Sequence, residues 1–233
     1  MTDTPHRDVQ GDTPRRLVVL ISGRGSNMQA IVEAAGEPGS GAEVVAVIAN
    51  TPRAAGLQWA QARGIATAVV PHDAHADRES FDAALAGVID GHRPDYVLLA
   101  GFMRILTPGF VAHFQGRLIN IHPSLLPAFP GLHTHRQALQ TGVQWHGCSI
   151  HFVTPLLDQG PIIAQGTLPV TDADTPGSLA ARLLQLEHVL YARVTHWLGQ
   201  GRVQLLDSGR VLVHGEASRA FLLAADGVVQ AGA

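Results

Sequence analysis

The stretch RLVVLISGRGSNMQAIVEAA, residues 16–35, decides the fold class of this chain. An uninterrupted apolar run at residues 17–21 leads through two glycines, Gly23 and Gly25, into apolar residues spaced as on one face of a helix. A strand that is apolar at every position is typical of a parallel sheet with both faces covered, and a helix that follows directly supplies such a cover. The stretch therefore predicts the first strand, loop and helix of an α/β sheet.

The same alternation recurs along the next 90 or so residues. Strands are predicted within residues 43–50, 66–70, 95–102 and 118–122, and helices within residues 54–64, 77–91 and 107–114. Strands that alternate with helices predict a doubly wound, mainly parallel sheet of the Rossmann-like type.

The regular alternation of strands and helices ends after residue 122. A proline-rich loop at residues 123–131 precedes a helix at 133–142, and two strands at 148–154 and 162–170 are joined by a short link that favours antiparallel or loose pairing. Residues 175–201 then predict a long amphipathic helix with Thr175 near its start.

The domain organisation predicted from these patterns is simple. Residues 1–15 are polar, lack the apolar middle of a signal peptide and are interpreted as a flexible tail. Residues 16–233 form a single domain, in which residues 203–233 are a small C-terminal hairpin and tail that turns at Asp207 to Gly209.

Composition narrows the function classes. Of the 233 residues, 46% are hydrophobic and 15% charged, and the net charge of −3 favours neither disorder nor a nucleic-acid surface. The single cysteine, Cys148, excludes an internal disulfide and fits a reducing cytoplasm. No apolar run approaches the roughly 20 residues of a membrane helix. We therefore expect a cytoplasmic protein that binds neither nucleic acid nor membrane.

The glycine loop does not match a nucleotide-binding fingerprint, because Met28 stands where the third glycine would fall. Ser26 could cap the helix, and Gln29 could complete a capping box. The amides at such a helix start could also accept a phosphate. The sequence leaves phosphate binding and a plain structural turn equally open.

Asn120 and His122 end the strand LINIH, residues 118–122, and alternation places both side chains on one face. Ligands of open α/β sheets bind at the carboxyl ends of strands. Asp158 lies in a later loop that could fold over the same end. The three side chains could stabilise an oxyanion and move protons between nitrogens, although a satisfied Asn–His pair and an ordinary turn aspartate remain the plainer alternatives.

Histidines offer a metal alternative, because His133, His135 and His151 could converge with His122. Their spacing matches no known zinc motif, so we expect no metal.

Several motifs together resemble those of the folate-dependent formyltransferases. They are VVLISGRGSNMQAI (18–31), LAGFMRIL (99–106), NIHPSLLPAFPGLHTHRQAL (120–139), HGCSIHFV (146–153) and LDQGPII (157–163). The resemblance runs from about residue 16 to residue 200 and is far more specific than any single motif.

This resemblance implies transfer of a formyl group from 10-formyltetrahydrofolate, as co-substrate, to the glycyl amine of 5′-phosphoribosylglycinamide, without a metal. His122 would donate a proton and stabilise the oxyanion, Asn120 would bind the formyl oxygen, and Asp158 would tune the protonation of His122 and help to place a water. The implied site residues are Asn120, His122 and Asp158 for catalysis, Gly25, Ser26, Asn27 and Glu187 for the amine substrate, and Arg78, Met103, Arg104, Ile105, Leu106 and Asn120 for the folate. Residues 103–106 would pair with the pterin largely through their backbone. Partners would be small-molecule substrates, and the enzyme a monomer or homodimer.

The chain departs from the family pattern at Ala128, where lysine is common, and at Pro155 and Leu156, where polar residues are frequent. These changes concern loop mobility and contacts to the folate tail.

Two alternative functions remain. One is a formyltetrahydrofolate hydrolase, in which water replaces the amine, and the other is a catalytically silent folate-binding module. A methionyl-tRNA formyltransferase would need a further C-terminal barrel.

Overall fold

The computed structural model describes residues 13–224 and 229–231. Its strands are β1 Arg15–Ile21, β2 Ala42–Ala49, β3 Ala66–Val69, β4 Tyr96–Leu99, β5 Leu118–His122, β6 Trp145–Phe152, β7 Ile162–Pro169, β8 Val203–Leu205, β9 Val211–Val213, β10 Ala220–Leu223 and β11 Val229–Ala231. Its α-helices are α1 Ser26–Ala35, α2 Gly56–Gln61, α3 Arg78–Gly91, α4 Pro108–His113, α5 Thr134–Thr141 and α6 Pro176–Gly199, and a 3₁₀ helix spans His72–Ala74.

One large sheet organises the described residues, in the order β11-β10-β7-β6-β5-β4-β1-β2-β3. β1 pairs in parallel with both β2 and β4, and β4 pairs in parallel with β5. β6 runs antiparallel to both β5 and β7. The predicted doubly wound, mainly parallel sheet is confirmed, as is the antiparallel pairing that follows residue 122.

The alternating side chains of β1 explain why its run is apolar at every position. Leu17, Val19 and Ile21 pack with residues of α1 and α6 on one face of the sheet. Val18 and Leu20 pack with residues of α3 and α4 on the other face. A strand between two helical layers has no solvent-facing side, so neither set can be polar.

The long helix α6 is bound to the end of β4. Thr175 caps it through a capping box with Ser178, as the sequence predicts for its start. The buried Tyr191 donates its hydroxyl hydrogen to the carbonyl of Leu99, the last residue of β4, across 2.7 Å. No helix in the described part of the chain is both long and apolar enough to cross a membrane.

The C-terminal segment forms more than the predicted hairpin. β8 and β9 pair antiparallel as expected. β10 then joins the main sheet in parallel with β7, and β11 pairs with β10. The interpretation of residues beyond the hairpin as a tail is therefore incomplete. Residues 1–12 of the predicted N-terminal tail lie outside the described residues, and Arg15 already belongs to β1.

Candidate active site

The sheet order reverses direction beside β1, and ligands of open α/β sheets bind at the carboxyl ends of strands at such a point. The glycine loop follows β1, residues 100–107 follow β4, and Asn120 and His122 end β5 between β4 and β6. Three of the segments predicted to bind ligand therefore follow neighbouring strands and lie at the carboxyl ends of those strands.

His122 is held between two loops. It is 5% exposed, and its Nε2 donates to the carbonyl oxygen of Phe129 at 3.0 Å. Its Nδ1 lies 3.4 Å from Oδ2 of Asp158. A carbonyl and a carboxylate both accept hydrogen bonds, so each ring nitrogen of His122 faces an acceptor. The structure thus brings His122 and Asp158 together, as predicted.

Asp158 is buried although it belongs to the loop between β6 and β7. Its side chain is 7% exposed, and Oδ2 also accepts a hydrogen bond from the backbone N–H of Gly131 at 2.8 Å. The loop after β5 and the loop after β6 are therefore joined through this carboxyl group. Its backbone is left-handed, with φ of 53°, a conformation that aspartate adopts more readily than most residues.

His151 is a site residue that the sequence reasoning considered only as a metal ligand. Its Nδ1 donates to the carbonyl of Phe152 at 2.9 Å, and its Nε2 lies 4.0 Å from Oδ1 of Asp158. Burial lowers the pKa of His151, which favours the neutral ring. The residue pairs with Asn120 across β5 and β6. The antiparallel link was predictable, but the register that sets His151 opposite Asn120 was not.

The glycine loop differs from the prediction in its cap. α1 begins at Ser26, Gly25 is the N-cap in the left-handed region with φ of 75°, and no side chain caps the helix. The expected capping by Ser26, with Gln29 completing the box, is wrong, because a left-handed N-cap turns the chain so that Ser26 is already helical. The first amides of α1 are consequently not occupied by a side-chain cap.

Glu187 connects α6 to the start of α1. It is 9% exposed, and its Oε2 accepts a hydrogen bond from Nδ2 of Asn27 at 2.7 Å. Burial raises the pKa of Glu187 to about 7, while the hydrogen bond from Asn27 acts in the opposite direction. Glu187 is therefore a buried residue, unlike most glutamates on helices, which lie on the solvated face.

We expect stability to fall with rising pH because of Glu187. In the unfolded chain this carboxyl loses its proton near pH 4.5, whereas the folded protein retains it until about pH 7, so the folded state loses stability across that interval. The contribution is on the order of 3 kcal/mol. Glu187→Gln should remove most of this slope and raise the free energy of unfolding at pH 8, measured by urea unfolding between pH 4 and 8. The same pH slope in both proteins would contradict the assignment.

Three of the residues expected to bind folate line a cleft of about 190 Å³. Arg78, Arg104 and Ile105 line it with His72 and His75. Met103 is 72% exposed and Ile105 61% exposed, so both side chains are accessible to a ligand in this region. Leu106 is half-buried and packs against the apolar residues between the sheet and helices α3 and α4.

Among the described residues, His133, His135 and His151 do not form a metal-ligand group with His122. Nδ1 of His135 lies 3.1 Å from Nε2 of His146, and burial, with smaller effects of His135 and His122, lowers the pKa of His146 to about 4. His133 is the N-cap of α5 in the left-handed region. Within residues 13–224 and 229–231, no group of three His, Cys, Asp or Glu side chains could hold a metal ion.

Comparison with known proteins places the chain in a family. The formyl transferase family model matches residues 15–195. Phosphoribosylglycinamide formyltransferase of Escherichia coli K12 is 50% identical over 189 residues, which are 81% of this chain and 89% of that protein. The human trifunctional purine biosynthetic protein adenosine-3 is 43% identical over 84% of this chain, which matches only 19% of the human protein.

Solved structures agree with this placement. Phosphoribosylglycinamide formyltransferase from Coxiella burnetii superposes with a TM-score of 0.82 at 44% identity, covering 87% of this chain and 95% of that chain. A formyltetrahydrofolate deformylase from Pseudomonas putida gives a TM-score of 0.76 at 30% identity, covering 86% and 70%. Since the family model spans most of the chain and the Escherichia coli and Coxiella burnetii proteins match it over 89% and 95% of their length, this chain belongs to the formyl transferase family.

Proposed function

We propose that this protein transfers a formyl group from 10-formyltetrahydrofolate to the glycyl amine of 5′-phosphoribosylglycinamide, a step of de novo purine biosynthesis. The observation that carries the proposal is the meeting of His122 and Asp158, 3.4 Å apart, at the end of the strand that bears Asn120. The relatives named above support the amine substrate.

The reaction requires a polar group at each developing charge. The neutral amine nitrogen attacks the formyl carbon, and the formyl oxygen becomes an oxyanion. Nε2–H of His122, which donates to the Phe129 carbonyl in this structure, would donate to that oxyanion instead. The amide of Asn120, on the same strand face, would donate a second hydrogen bond.

Collapse of the intermediate then breaks the bond between the formyl carbon and N10 of the folate. The attacking nitrogen gives up one proton and N10 takes one, so the products are the formamide and tetrahydrofolate. Asp158 would stabilise the charged imidazolium during this exchange and help to place the water that carries the proton. No covalent enzyme intermediate is needed.

The two substrates would lie on either side of this centre. Gly25, Ser26 and Asn27 would hold the phosphate at the start of α1, where uncapped amides and the helix dipole favour an anion. Glu187 would face the ribose and amine of the same substrate. Arg78 and the backbone of residues 103–106 would hold the folate beside the cleft described above.

We expect Gly25→Ala to raise the KM for phosphoribosylglycinamide about tenfold or more, with a much smaller change in the KM for the folate. A Cβ at Gly25 would lie 2.8 Å from Cε of Met28 and 3.3 Å from Cα of Gly56, and the residue has a positive φ, so the loop must shift. Initial-rate kinetics with each substrate varied would measure both constants.

The matched control is Gly39→Ala, which imposes the same backbone strain at φ of 78° with nothing within 4 Å. Both KM values should stay near those of the unmodified protein. If Gly25→Ala raised the two constants equally, the loop would be structural and would not bind phosphate.

The function itself is tested by following absorbance as the formylfolate donor becomes tetrahydrofolate. Turnover that requires phosphoribosylglycinamide supports the proposal. Turnover in its absence would indicate a hydrolase, and tight folate binding without turnover would indicate a silent module.

We further propose that the enzyme is cytoplasmic, needs no metal and acts as a monomer or homodimer. Activity that survives dialysis against a chelator, and light scattering of the purified protein, test the last two points.

A further inference from the structure

The segment from Met103 to Leu106 lies between β4 and α4 and belongs to neither a helix nor a strand. Two side chains from distant parts of the chain nevertheless bind its two ends. Oγ of Ser22 accepts a hydrogen bond from the backbone N–H of Met103 at 2.8 Å. Oδ2 of Asp82 accepts one from the backbone N–H of Thr107 at 2.6 Å. An irregular segment is thereby attached at both ends to rigid elements.

Ser22 continues the alignment of β1 with β4 beyond the last paired residues. Its own N–H donates to the carbonyl of Gly101 at 3.2 Å, and its hydroxyl then receives Met103. The segment thus starts from a backbone position that the strand preceding the glycine loop determines.

Asp82 is the more informative residue. It belongs to α3 and is 3% exposed, and its second oxygen, Oδ1, has no hydrogen-bond partner within the described residues. Burying an oxygen without a hydrogen-bond partner costs free energy, so the presence of an aspartate at this position needs an explanation.

Capping of α4 does not provide that reason. The side chain of Thr107 already caps α4 by accepting a hydrogen bond from the N–H of Phe110. The hydrogen bond from the N–H of Thr107 to Asp82 fixes the residue that directly follows the segment, on the loop side of the cap. Its effect is therefore on the segment that precedes the helix.

We propose that Ser22 and Asp82 are positioning residues that hold the backbone of residues 103–106 in the conformation that pairs with the pterin of the folate donor. The inference rests on the proposed function, which assigns the pterin to this backbone. A flat heterocycle that is bound through backbone hydrogen bonds requires fixed peptide orientations, since a small rotation of one peptide group breaks several of these hydrogen bonds together. The two anchors supply that fixation without touching the ligand.

The test compares Asp82→Ala, Asp82→Asn and Ser22→Ala with the unmodified protein. Asp82→Ala should raise the KM for 10-formyltetrahydrofolate and the Kd for tetrahydrofolate by about 10-fold, because it leaves a backbone donor unpaired. Asp82→Asn retains an oxygen acceptor and should stay within about 3-fold, and Ser22→Ala should give about 3-fold. The KM for phosphoribosylglycinamide and the kcat should stay within about twofold.

Two control variants separate positioning from general destabilisation. Asp90→Ala removes the 2.7 Å contact of Asp90 with His113, which also joins α3 to α4 but at the far end of α3. Ser40→Ala removes a buried hydroxyl that donates to the carbonyl of Ala35. Both should lower the thermal midpoint without changing donor affinity.

The outcomes discriminate between the proposals. Equal rises in both KM values, or lower thermal midpoints with unchanged donor KM and tetrahydrofolate Kd, would overturn the positioning role. If Asp82→Ala fails to fold, Asp82→Asn and Ser22→Ala decide the matter by the same constants. The protein could also transfer no formyl group and yet bind tetrahydrofolate more weakly in the variants. That result would support the positioning role and reject the proposed function. A protein that binds no tetrahydrofolate would reject both.

Discussion

We expect His122→Ala and Asn120→Ala each to lower kcat by about 100- to 1,000-fold, because removal of one oxyanion donor costs that much in enzymes of this kind. The loss should fall on kcat and on kcat/KM together, since the hydrogen bonds strengthen only as the formyl oxygen gains charge. His122 also bonds Phe129 and contacts Asp158, so its removal loosens two loops. Asn120 is half-buried on a strand between β4 and β6 and should be removable with little loss of stability.

The measurement is steady-state turnover with both substrates saturating, together with the thermal midpoint of each variant. His113→Ala is the matched control, because it removes a histidine that pairs with Asp90 on the outside of the fold. Its kcat should equal that of the unmodified protein. A folded His122→Ala or Asn120→Ala protein with near-normal kcat would remove that residue from the mechanism.

The second large effect is expected from Gly160→Ala, a change of one methyl group. A Cβ at this position would lie 1.7 Å from the carbonyl oxygen of Phe152. That carbonyl accepts the hydrogen bond of His151, and the N–H of Phe152 donates to the carbonyl of Pro161 at 2.9 Å. The loop must therefore move as a whole, and Asp158 must move with it. Turnover should fall by about 10- to 100-fold, with the KM values changing far less.

The same substitution should also lower the free energy of unfolding by about 1–3 kcal/mol, because a backbone atom cannot give way as a side-chain end can. Gly87→Ala, on α3, is the control: nothing lies within 4 Å of its Cβ, and stability should be unchanged or slightly raised. Normal turnover in a stable Gly160→Ala protein would show that the position of Asp158 is not critical to the chemistry.

The elements that the sequence predicted are those whose cause is local. The apolar run at residues 17–21 and the helical spacing after Ser26 each depend on neighbours along the chain, and both elements begin and end close to the predicted residues. Asn120 and His122 were placed at a strand end by the same reasoning, and their position there is confirmed. Their roles in catalysis remain predictions.

The features that the sequence did not predict depend on distant contacts. The burial of Glu187 arises because α6 packs against α1, which no pattern within α6 reveals. The pairing of β10 with β7 joins segments more than 50 residues apart. Ser22 and Asp82 were not singled out, since a serine after a strand and an aspartate on an amphipathic helix are common and carry no motif.

The contacts of α6 also restrict how the length of this chain can vary. Glu187 reaches the first turn of α1 through Asn27, and Tyr191 reaches the end of β4 through Leu99, from positions about 6 Å apart along one helix axis. A single inserted or deleted residue between them would turn one side chain by about 100° relative to the other, so one of the two contacts would be lost. Insertions and deletions should therefore be absent from this turn of the helix among functional variants, whereas the exposed turn at residues 207–209 can gain or lose residues.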